Sequence, residues 1–164
     1  MKKLFLVTTI TLGLLWMAVD AFAQATDPKT LTINATVSAR AALTLGQNTI
    51  NFPDGDPDTG GGEVPANEGA VSVTAKVRTG AAQTATLTVR APNFGANIPS
   101  SQMRWTAAAA PFIAGTMNTT DVSAATFPQG SGSYTSSFSY FFRHEWDDPT
   151  GSYQTTATYT LTAP

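Results

Sequence analysis

From Thr30 to Leu45 the chain alternates between two sets of residues without a fault. Leu31, Ile33, Ala35, Val37, Ala39, Ala41, Leu43 and Leu45 hold one parity; Thr30, Thr32, Asn34, Thr36, Ser38, Arg40, Ala42 and Thr44 hold the other. A period of two is that of a half-buried β-strand, whose successive side chains point to opposite faces. At roughly 3.3 Å per residue the run would reach about 50 Å, against about 17–20 Å for an ordinary strand. One compact domain seldom covers that length. Either the strand bends and serves two sheets, or part of it lies against another molecule.

The same period returns downstream. Ile50 and Phe52 predict a short strand stopped by Pro53, Asp54 to Gly62 reads as a loop, and Glu63 to Gly69 as a second connection. Val71, Val73, Ala75 and Val77 predict one strand and Ala85, Leu87, Val89 and Ala91 the next, joined across Thr79-Gly80-Ala81 as a hairpin. Met103 and Trp105 share a strand, and short strands are expected near 112–117 and 120–127. Tyr134, Phe138, Tyr140, Phe142 and Trp146 share one parity, which gives the predicted strand 134–146 a wide aromatic face. After the turn chemistry of Asp147 to Gly151, alternation resumes from Tyr153 to Leu161. Seven to nine strands with frequent turns and no helix predict an all-β fold. The expected form is an immunoglobulin-like antiparallel β-sandwich with an extended N-terminal strand. A lipid-spanning barrel is disfavoured, because these strands lack aromatic girdles at both ends.

The N-terminus reads as an export signal. Lys2 and Lys3 precede an apolar stretch, Leu4 to Val19, and the small-x-small sites Ala21-Phe22-Ala23 and Ala23-Gln24-Ala25 follow. The expected division is a signal peptide over 1–25, cleaved after Ala23 or Ala25, an N-terminal extension over 26–39, and a sandwich over 40–164. The expected location is the bacterial cell surface or beyond it. Cleavage leaves seven basic and ten acidic residues. The basic residues are scattered singly, so no stripe tracks a phosphate backbone and nucleic acid is not an expected partner. There is no cysteine, so no disulfide holds the exported domain together.

Little in the chain suggests catalysis, and no enzyme is expected. His144 is the only histidine, there is no G-x-S-x-G elbow, and no acidic pair suggests a general acid beside a nucleophile. The most site-like feature is Asp54, Asp56 and Asp58, three carboxylates two apart in a glycine-rich loop, with Glu63 or Glu68 as further oxygen donors. Such clusters suit calcium. The glycine comes late for an EF-hand loop and the bidentate glutamate position is empty, which favours a solvated loop. Trp105 and Trp146 are candidates for a carbohydrate-stacking surface, although tryptophans in a sandwich more often pack in the core.

The cleaved signal, the Thr/Ala-rich alternating N-terminal segment and the closing Gly151-x-Tyr153-x-x-x-x-x-Tyr159 resemble exported bacterial β-sandwich subunits. These are pilins of the chaperone–usher type and spore coat protein U-like domains. Such pilins carry a glycine about where Gly151 stands. They end with a penultimate tyrosine where this chain has Ala163, and their disulfide has no counterpart here. The resemblance implies a fibre or coat subunit; an assembly chaperone is a candidate partner that it does not by itself establish. Two functions are therefore expected. In the first, Thr30 to Ala39 is donated to a neighbouring copy with Leu31, Ile33, Ala35 and Val37 as plugs, giving a head-to-tail polymer. The alternative is a monomeric surface or secreted module that binds a glycan or a protein.

Overall fold

A computed structural model describes residues 28–164, and the expected signal peptide lies outside the described residues. By its internal contacts the chain divides between Ala35 and Thr36. Residues 28–35 carry no regular secondary structure, and Leu31 and Ile33 are more than four-fifths exposed.

Residues 36–164 form nine strands in two antiparallel sheets. These are β1 (Arg40–Leu45), β2 (Glu63–Pro65), β3 (Val71–Arg78), β4 (Ala85–Arg90), β5 (Met103–Ala107), β6 (Gly115–Thr116), β7 (Val122–Phe127), β8 (Ser131–Arg143) and β9 (Thr158–Thr162). The larger sheet runs β1-β3-β8-β5-β6, with β2 also on β8; the smaller runs β7-β4-β9. β8 is the spine of the larger sheet. Its first part pairs with β3, and its last residues pair with β2 on one side and β5 on the other.

Alternation dictates the packing. Val73, Ala75, Trp105 and Phe138 face inward from the larger sheet, and Leu87, Val89, Ala125 and Phe127 from the smaller. Aromatic rings join the layers: Phe127 stacks on Tyr134 at 5.0 Å, and Phe112 meets the edges of Phe127 and Phe138 at 5.5 and 5.8 Å. Trp105 is fully buried and its Nε1 donates to the Ile113 carbonyl at 2.8 Å, so its one polar atom is satisfied.

Four expectations are corrected here. The alternating N-terminal run is not one long strand: β1 starts at Arg40, opposite Arg78, the last residue of β3. Beyond that pair β3 offers no edge to continue the ladder. β3 and β4 are not a hairpin. They lie in different sheets, because the turn after Arg78 crosses the sandwich and the two apolar faces meet across the core. Glu63 to Pro65, read as a connection, is β2, held on its outer side by the Glu63–Arg104 ion pair. Finally, β8 ends at Arg143, so Trp146 leaves the aromatic face and stands three-quarters exposed.

Candidate functional site

Each sheet ends in an open edge on the same side of the molecule. The larger sheet ends at β1 and the smaller at β9, and these two strands approach one another. Both are amphipathic in the sense an edge requires. Leu43 and Leu45 on β1 and Tyr159 and Leu161 on β9 turn inward and are only half-buried, while Thr158, Thr160 and Thr162 face solvent. The main-chain donors and acceptors on the outer side of β9 have no strand neighbour among the described residues.

Next to these edges lies a groove of about 1430 Å³. Its floor is apolar. Tyr140 and Phe142 come from β8, Met103 from β5 and Tyr159 from β9, while Ile50 and Phe52 approach from the segment after β1. Phe142 is the hub, with Phe52 at 5.6 Å, Phe94 edge-on at 5.1 Å and His144 edge-on at 4.9 Å. Ile50 and Phe52 do not form a ladder strand. The segment is tied instead by Asn67 N donating to the Asn51 carbonyl at 2.8 Å, and by Glu68, which accepts from Asn51 N and Nδ2 at 2.8 and 2.6 Å. Those two bonds hold the Glu68 carboxyl below its ordinary pKa.

Across the groove the hydroxyls of Tyr140 and Tyr159 share a hydrogen bond at 2.5 Å, a polar link between β8 and β9. Burial drives both phenols above their ordinary pKa of 10.0. Both are therefore neutral at physiological pH.

The residues singled out from sequence fare differently. Leu31, Ile33, Ala35 and Val37 are all exposed, and none is assigned to a strand. Asp54, Asp56 and Asp58 are not gathered around a common point. Asp54 Oδ1 accepts from Gly55 N, Asp56 from Asp58 N and the Thr59 hydroxyl, and Asp58 from the Trp146 indole. Glu63 is bound to Arg104 and Glu68 to Asn51, so neither turns towards the aspartates. Among the described residues no three His, Cys, Asp or Glu side chains come together. The pairing of Trp105 with Trp146 is corrected: one is core and the other is surface, so they share no face. His144 caps the groove instead of working in it. Its Nε2 lies 3.1 Å from the Pro53 carbonyl and its backbone N donates to the Gly62 carbonyl at 2.8 Å, which pins the 53–62 loop to the end of β8.

Comparison with family models, curated proteins and solved structures finds no match to this chain. The groove and its strand edges must speak for themselves. Sequence reading missed Tyr159 as a groove residue and Tyr153 as an exposed ring. The available signal was two tyrosines at odd positions of the last run, but β9 begins only at Thr158, so Tyr153, expected on a strand, lies in the loop that follows the turn.

Proposed function

We propose that this chain is a structural subunit of an extracellular bacterial filament or coat, exported and assembled by strand donation. Residues 30–39 of one copy would lie along the free edge of β9 in the next, and assembly proceeds head to tail. The observation that carries the reading is the coexistence of two unfinished halves. Leu31, Ile33 and Val37 are 83, 82 and 71 % exposed at alternate positions, and one sandwich edge borders an apolar groove. An extended segment gains affinity from main-chain bonds to such an edge and specificity from alternate side chains entering the groove.

Magnitudes decide what is needed. Burying a Leu, Ile or Val fully contributes about 1.5–3 kcal/mol each. Ordering each backbone residue costs about 1–2 kcal/mol. Three plugs alone do not offset the ordering of about ten residues, so the ladder with β9 is required as well. Donation also covers an edge that would otherwise invite uncontrolled pairing, and a dedicated assembly chaperone would serve the same purpose before polymerisation. The reading has no catalytic component.

The test is a deletion of residues 26–36, leaving any export signal in place. The deleted chain should be exported and folded but fail to form high-mass assemblies, whereas the full chain yields thin filaments in sheared cell material. Filaments formed by the deleted chain, or a full chain that stays monomeric at high concentration, would overturn the reading.

A further inference from the structure

Within residues 36–164, the large apolar side chains left exposed are Val37, Ile113, Trp146 and Tyr153. The two aromatic ones line the same groove, and both stand in the loops between β8 and β9. Both are held in place. Trp146 Nε1 donates to Asp58 Oδ1 at 3.0 Å, and the Tyr153 hydroxyl donates to the Pro149 carbonyl at 2.8 Å. The Tyr153 ring is seated against two glycines: a Cβ at Gly95 or Gly151 would lie 3.5 or 3.2 Å from its carbons. The turn between the rings is locked by Asp148, which accepts from Gln102 Nε2 and Glu145 N at 2.9 and 2.8 Å. Each ring thus has its polar end satisfied and an apolar surface turned to water.

The rim also selects by charge. Among the described residues no lysine or arginine lines the groove, while Asp54, Asp56, Asp148 and the Arg143-paired Glu145 do, so an anionic ligand is disfavoured. The carboxylates of Asp56 and Asp148 are already committed to internal donors on both oxygens, so they offer little to a cation. A ligand with apolar ring faces, hydroxyl groups and no charge fits these conditions.

We propose that the Trp146–Tyr153 rim binds a neutral oligosaccharide, with sugar rings laid against the two aromatic surfaces and hydroxyls bonded to the polar side chains between them. Fixed rings reduce the ordering cost of binding. The site uses neither residues 30–39 nor the β9 edge, but it lies on the groove that the filament reading also uses, and the chain lacking residues 26–36 tells the two apart.

The experiment titrates the full chain and the chain lacking residues 26–36 with neutral hexasaccharides: α- and β-linked glucans, xylan and chitin fragments. Tryptophan fluorescence is the readout, and Trp146 is the solvent-facing reporter because Trp105 is buried. At least one neutral oligosaccharide should shift the emission saturably in both chains. Trp146→Ala and Tyr153→Ala should each weaken binding tenfold or more, with unchanged circular dichroism and melting temperature, and Trp146→Phe should restore part of it. No response across the neutral panel, a response to uronic-acid or basic-peptide ligands only, or full affinity in Trp146→Ala would overturn the proposal. Filaments that vanish on deletion while sugar binding persists would separate the two readings.

Discussion

The Tyr140–Tyr159 pair shows how one contact sets a pH response. Burial raises the pKa of both phenols above 10.0 in the folded chain, whereas in the unfolded chain each loses its proton near that value. Below pH 10 both states hold the proton, and the contribution to stability is full. As pH rises further the unfolded state binds fewer protons, so stability falls with pH until the folded phenols ionise. Urea unfolding from about pH 8 to about pH 11 should therefore show an alkaline decline. Tyr140→Phe should make that decline shallower. At neutral pH the same change should cost about 1–3 kcal/mol, because the buried Tyr159 hydroxyl loses its partner. A decline of equal slope in the variant would mean that other groups set it. The carboxylates of Asp54, Asp56 and Asp58 carry the opposite lesson: their two-residue spacing was visible in sequence, but the turn bends them towards separate donors.

At the scale of elements, alternation reports which face a strand buries and not which strand it pairs with. The inward sets Val71–Val77 and Ala85–Leu87–Val89 were legible from period two, and they are core. That they meet across the sandwich and not side by side was not legible, since a turn that crosses between sheets and a hairpin turn use similar residues. β2 was hidden because three residues with a proline give no periodicity. The aromatic face of β8 was readable up to Phe142, and Trp146 was misplaced because nothing in its parity shows where a strand stops. Of the candidate site, the alternation of Leu31, Ile33, Ala35 and Val37 was legible as a pattern and the groove was not, because a groove is built from segments far apart in sequence. Parity also supplies a test. A peptide of residues 28–39 added to the chain lacking residues 26–36 should raise its melting temperature. A peptide with each of Leu31, Ile33, Ala35 and Val37 exchanged with the residue before it should not, because a one-residue shift turns every plug to solvent. Equal stabilisation by both peptides would show that hydrophobicity alone, without strand register, drives the contact.

For the whole molecule, the balance is between a cysteine-free sandwich and what completes it. The core holds Trp105, Phe127 and Phe138 fully buried, so the fold has an interior of its own. Along one side, however, Leu45, Tyr159 and Leu161 stay half-exposed, and β1 and β9 end their sheets without a further strand among the described residues. With no disulfide available, further stability has to come from additional packing, and the chain's own N-terminal segment is an unused apolar surface of matching period. If a second copy supplies that packing, stability follows mass action: a partner that binds only the folded state adds about 1.4 kcal/mol for each tenfold rise in its free concentration above the dissociation constant. The melting temperature of the full chain should then climb as protein concentration is raised in tenfold steps. That of the chain lacking residues 26–36 should stay constant, and mixing the two should stabilise the deleted chain at the expense of filament length, since it accepts a strand and donates none. A full chain whose melting temperature ignores concentration would mean that the segment folds back onto its own sandwich, and the unfinished side would then be closed from within.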